Sequence, residues 1–94
     1  MTATIEGYCD ERFSAVRDVL EQQIESGTDL GASFSVTYQG ETVVDLWGGH
    51  LDLERTMPWQ EDTLVNVYST TKTMSFLCAL ILADRGELDF DAPV

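Results

Sequence analysis

Ninety-four residues, 44% of them hydrophobic, 10% aromatic and 23% charged, make at most one small globular domain. Seventeen acidic side chains against five basic ones give a formal net charge of −12. That balance repels nucleic acid and anionic membrane surfaces, and it reads as a solvated acidic surface.

No run of about 18 or more apolar residues is present, so no segment is expected to span a membrane. The first eight residues, Met1 to Tyr8, lack the basic region and apolar core of a secretory signal, which points to the cytoplasm. The two cysteines, Cys9 and Cys78, show neither a Cys-x-x-Cys pair nor metal-ligand spacing with histidine. Both are expected to be reduced thiols, Cys78 buried within the apolar run Phe76–Ala83.

In chain order, Asp10 to about Ser26 predicts an amphipathic helix. Phe13, Val16, Leu20 and Ile24 form its apolar stripe. Asp10 suits its N-cap and Gly27 its stop, while Glu11, Arg12, Arg17, Asp18, Glu21 and Glu25 make its solvent face. Ala32 to Tyr38 alternates strictly, which predicts a strand with Ala32, Phe34, Val36 and Tyr38 on its buried face. Gln39-Gly40 turns the chain, and Thr42 to Trp47 returns as the second strand of an antiparallel hairpin packed on the first helix. His50 to Asp62 reads as a loop, and Thr63 to Tyr68 as a short extended approach.

From about Thr70 to Arg85 a second helix is apolar nearly all round, and Gly86 stops it. Such a helix is normally central and covered on every side. One hairpin and one amphipathic helix cannot cover it, so the fold is expected to need more chain than these residues.

The chemistry concentrates at Ser69-Thr-Thr-Lys72, which contains the only lysine of the chain. Residues three apart on a helix share a face. A serine hydroxyl becomes a nucleophile when a base takes its proton, and a neutral lysine amine can be that base where burial or a nearby positive charge favours it. Two other readings stand beside this one. His50, the only histidine, could serve as base with Asp45 or Asp52 orienting it. In the other, Lys72 pairs with an acidic residue and Ser69 is a helix cap in a non-catalytic interaction module.

Four stretches carry a resemblance. They are Val43-Val-Asp-Leu-Trp-Gly-Gly49, Asp62-Thr-Leu64, Tyr68-Ser-Thr-Thr-Lys72 and Asp84-Arg-Gly-Glu-Leu-Asp-Phe-Asp-Ala-Pro-Val94. Together they resemble the serine β-lactamase-like superfamily, and within it class C β-lactamases and family VIII esterases. The resemblance implies an α/β fold of which the chain is the N-terminal part. Residues 1–62 or so would supply the sheet region, and about 63–94 the nucleophile-bearing helix. It implies that Ser69 accepts the acyl group, that Lys72 takes or relays its proton, and that the Ser69 N–H forms half of an oxyanion hole.

The expected activity is therefore a serine hydrolase, a carboxylesterase on small esters, needing no cofactor. A β-lactamase, a D-amino-acid peptidase and an acyltransferase are the alternatives from the same superfamily. The superfamily's second motif, Tyr-x-Asn or similar, and its third, such as Lys-Thr-Gly, do not follow Lys72 within these residues. Trp47-Gly-Gly49 spells a variant of the third motif but precedes the serine, so that role is not carried over. The expected partners are a small ester or amide substrate and the remaining C-terminal polypeptide of the same enzyme. The 94 residues alone are expected to be inactive.

Overall fold

The structure is a computed structural model describing residues 5–94. The chain divides into two compact units, one running through Thr63 and the other from Leu64 to Val94.

The first unit holds a three-stranded antiparallel sheet and one helix. Strand β1 is Ile5–Cys9, helix α1 is Ser14–Glu25, and strands β2 and β3 are Gly31–Tyr38 and Glu41–Gly49. The spatial order is β1-β3-β2, which places β3 in the centre. Both expected strands and the expected helix are present. At the hairpin, Tyr38 pairs with Glu41 across a two-residue turn. Gln39 and Gly40 take φ of 52° and 82°. Positive φ at both central residues is what a turn matched to the strands' twist requires.

Strand β1 was not expected from the sequence. It is short and carries Gly7 at its middle, with φ of 106°. A Cβ there would collide with the Asp45 carbonyl oxygen and the Trp47 ring, so glycine lets β1 approach β3.

The core lies between α1 and the sheet and consists of Ile5, Leu20, Ile24, Val43, Val44 and Leu46. Strict alternation along β3 would expose either Val43 or Val44. Instead Val44 pairs with Val36 and Thr42 with Thr37, so Val43 is an extra residue at a bulge, and both valines are buried. The Val43 carbonyl accepts the Asp10 N–H at 2.8 Å, which extends the pairing of β1 by one residue.

The expected buried face of β2 is only half realised. Ala32 and Val36 pack against the core, but Phe34 and Tyr38 are 44% and 50% exposed. The reason is position: β2 is an edge strand, and α1 packs over β1 and β3.

Asp10 caps the helical start as expected. It does so for a 3-10 turn, Glu11–Phe13, that precedes α1, accepting the Arg12 N–H at 2.9 Å. The Arg12 guanidinium also binds this carboxylate, and these bonds hold it below the usual carboxylate range. At the other end Gly27 takes φ of 80°, the conformation of a helix stop. Arg17 departs from the expected solvent face. It is half-buried and donates to the Ile5 carbonyl at 3.0 Å, tying α1 to β1.

Leu46 is fully buried at the centre of this core. Leu46→Ala in the full-length protein is expected to lower stability by about 2–5 kcal/mol, through lost transfer energy and an unfilled cavity. Urea denaturation of the two proteins measures it. A loss well under that range would mean that the site collapses around the smaller side chain.

In the second unit a 3-10 turn, Tyr68–Thr71, leads directly into helix α2, Lys72–Asp84. The helix therefore begins two residues later than expected. No residue of α2 is buried, and Phe76, Leu80 and Ile81 are 63%, 57% and 42% exposed. Cys78, expected to be buried, is exposed, because the elements needed to surround an all-round apolar helix are not among these residues. Neither cysteine is in a disulfide. Among the described residues no helix is long and apolar enough to cross a membrane.

Candidate active site

The expected extended approach to Ser69 is not a strand. Residues 63–67 have no regular structure, and the chain then turns sharply at Tyr68, whose φ is 49°. That value is uncommon for any residue other than glycine and unfavourable for an aromatic one. Asn66 supports the turn: its side-chain oxygen accepts the Tyr68 N–H at 3.0 Å. The Thr70 N–H donates to the Val67 carbonyl at 3.1 Å. Between them, the Ser69 N–H makes no hydrogen bond among the described residues. One unpaired donor thus sits between two engaged ones, at the positive end of a helical segment.

Ser69 lies inside the 3-10 turn, and Lys72 is both the end of that turn and the first residue of α2. The Lys72 N–H donates to the carbonyls of Ser69 and Thr70, so one turn of backbone links the two residues. The Thr73 hydroxyl donates to the Thr70 carbonyl at 2.8 Å and closes the same turn. Ser69 is not a helix cap. The 3-10 turn is preceded by Val67 and α2 by Thr71, neither with a side-chain cap bond. Ser69 and Lys72 are both exposed, and among the described residues no hydrogen bond joins their side chains. Arg12 and Asp10 form an ion pair in the first unit, at the start of its helical segment.

The candidates around His50 belong to a different construction. The His50 N–H donates to the Leu30 carbonyl at 2.9 Å, and the residue bridges to Pro58. Asp52 caps the loop between them. Its carboxylate accepts the N–H groups of Thr56 and Met57, each at 2.9 Å, and the Thr56 hydroxyl. The Thr56 hydroxyl bond, followed by the Met57 N–H, holds this carboxyl below its usual range. Asp52 is thus committed to the loop backbone. Asp45 lies mid-strand in β3, paired with Tyr8 and Ser35.

The loop is accordingly a tight bend. The Leu51 N–H donates to Met57 and the Trp59 N–H to Gly49, both at 2.9 Å. The Trp59 ring lies where a side chain at Gly31 would be, and its indole N–H is buried without a partner among the described residues. Trp47-Gly-Gly49 forms the end of β3 beside this bend. No group of three or more His, Cys, Asp or Glu side chains among the described residues could hold a metal ion.

The sequence reading missed Asn66 and the left-handed Tyr68. An asparagine two residues before the turn is a recognisable signal, since its side chain commonly accepts a backbone N–H two positions on.

Comparison with known proteins agrees with this architecture. Residues 16–94 match the β-lactamase family model. The chain is 35% identical over 88 residues to the esterase/β-lactamase LipL of Mycobacterium tuberculosis, covering 94% of this chain and 20% of that protein. It is 38% identical over 76 residues to the esterase EstB of Burkholderia gladioli, covering 81% of this chain and 19% of that one. Among solved structures it is similar to a family VIII carboxylesterase. There the TM-score is 0.89 at 46% identity, over 95% of this chain and 24% of that one. The chain thus spans about a fifth of the length of the curated relatives it matches. With the family model matched over most of its length, and with its sheet, helices and Ser69-x-x-Lys72 turn arranged as described, the chain belongs to the β-lactamase family.

Proposed function

We propose that this chain is the nucleophile-bearing N-terminal part of a cytoplasmic serine hydrolase that acts on small carboxylic esters through an acyl-enzyme. The observation that carries the reading is the turn at Ser69. A hydroxyl and an unpaired N–H on one residue stand one turn before the only lysine of the chain. The relatives named esterases add support for the substrate class.

In this reading the Ser69 Oγ attacks the ester carbonyl carbon as the Lys72 amine takes its proton. The carbonyl oxygen becomes an oxyanion, and the Ser69 N–H donates to it as one of the hole's donors. Collapse of the tetrahedral intermediate breaks the ester C–O bond, and the proton held by Lys72 passes to the departing alcohol. Water then attacks the acyl-serine and releases the carboxylic acid and the free hydroxyl.

The remaining polypeptide would cover α2, remove water from around the pair, and supply the second and third motifs. That the chain matches a fifth to a quarter of its relatives supports this division of labour. A β-lactam is the second substrate class, favoured by the relative named both esterase and β-lactamase.

A fluorophosphonate probe tests the reading. The full-length protein is expected to be labelled once, with the adduct on the peptide bearing Ser69, and to hydrolyse p-nitrophenyl acetate faster than nitrocefin. The isolated 94 residues are expected to give neither the label nor turnover. Labelling on any other residue, or none, would refute Ser69 as the nucleophile.

A further inference from the structure

Tyr68 holds φ of 49° immediately before Ser69. The residue is 79% exposed, so packing among the described residues does not impose that conformation. The Val67–Tyr68 peptide before it is held at both ends: its N–H donates to the Asn66 side-chain oxygen at 3.0 Å, and its carbonyl accepts the Thr70 N–H at 3.1 Å, closing the turn around Tyr68 and Ser69. Without the Asn66 acceptor this peptide is free to rotate, which takes its carbonyl off Thr70 and opens the turn that holds Tyr68. Left-handed residues relax to negative φ when nothing opposes the change. Relaxation at Tyr68 would swing the peptide that carries the Ser69 N–H and re-aim the Ser69 Cα–Cβ bond. The α2 side of the turn would stay fixed by the Lys72 and Thr73 bonds to Ser69 and Thr70. Oγ and the N–H would then move relative to Lys72.

We infer that Asn66 is a positioning residue for acylation: it holds Tyr68 in the left-handed conformation that aims the Ser69 hydroxyl and N–H. The inference rests on the reading of Ser69 as the nucleophile. Asn66 itself touches no reacting atom. It acts through the Tyr68 peptide, and its side chain is needed only as an acceptor.

The test compares full-length variants by the second-order rate of fluorophosphonate labelling at Ser69. Asn66→Ala is expected to slow labelling about 10- to 10²-fold, the scale of loss for a reacting group displaced by about 1 Å. Asn66→Ser, which retains a short acceptor two residues before Tyr68, is expected to recover part of the rate. Tyr68→Gly placed on Asn66→Ala is expected to recover most of it, because glycine adopts φ near 49° without strain. Glycine at a left-handed position also adds stability, so a thermal melt of each variant accompanies the labelling: positioning predicts a slow rate in Asn66→Ala protein that is fully folded at the assay temperature.

Should Asn66→Ala unfold, the single Asn66→Ser and Tyr68→Gly variants decide: a slowed Ser variant and a fast Gly variant support the inference, and the reverse order overturns it. Wild-type rates in a folded Asn66→Ala, or no rescue by Tyr68→Gly, also overturn it while leaving Ser69 as nucleophile. A wild-type protein that carries no label at Ser69 removes the premise and the inference together.

Discussion

Ser69→Ala in the full-length protein is expected to abolish acyl-enzyme formation while leaving the fold intact. The two halves of that expectation have separate grounds. Acylation forms a covalent bond to the Ser69 Oγ, so deleting this atom removes the intermediate and not merely some of its stabilisation. Where a serine nucleophile of this kind is deleted, turnover falls on the order of 10⁴-fold or more, with a remnant from binding and oxyanion donors.

The fold is expected to tolerate the change because Ser69 is exposed and its hydroxyl makes no hydrogen bond among the described residues. It does not cap either helical segment, so the capping penalty attached to a lost helix-start serine does not apply. A surface substitution of this kind shifts stability by about 0.5 kcal/mol or less. Intact-protein mass spectrometry after brief exposure to an ester, alongside a thermal melt, measures both halves. An acyl adduct on a folded Ser69→Ala protein would rule out Ser69 as the nucleophile.

Much of this architecture can be read from the residues because their patterns are local. Ala32 to Tyr38 alternates, Gln39-Gly40 supplies a turn whose two residues are left-handed, and Val16, Leu20 and Ile24 recur at helical spacing. Each pattern maps onto one element with no knowledge of its neighbours.

What escaped reading depends on neighbours. β1 is five residues with a glycine in the middle, and it is a strand because β3 lies beside it. The burial of both Val43 and Val44 needs a bulge that only the pairing with Val36 and Thr37 defines. Arg17 looks like a surface residue until the Ile5 carbonyl comes within reach. Phe34 fits the apolar face of its strand, yet β2 is an edge, and edge position is a property of the sheet.

The site divides in the same way. Ser69 and Lys72 stand out by spacing and by the scarcity of lysine. The 3-10 turn, the strained Tyr68 and its Asn66 support are backbone geometry with only a weak trace in the sequence.

Lys72 invites the sharper experiment, because its place in α2 opposes its charge. It is the first residue of the helix, and no acidic residue occupies the first turn to offset it. A cation there faces the positive end of the helix dipole and weakens the helix start. Removing it should therefore leave stability unchanged or slightly higher. If Lys72 is the base, the same removal should cripple acylation, so stability and activity would move in opposite directions.

Lys72→Arg isolates the chemistry further. Arginine has nearly the same helix propensity and keeps the positive charge, but its guanidinium stays protonated and cannot take the Ser69 proton near neutral pH. Lys72→Arg is expected to slow acylation on the order of 10²-fold or more, about as far as Lys72→Ala does, because the loss is that of a general base. Pre-steady-state acylation rates of the folded variants against wild type decide the matter. A Lys72→Arg protein that acylates at close to the wild-type rate would show that position 72 supplies positive charge alone. The proton transfer from Ser69 would then have to be assigned to another group of the full-length enzyme.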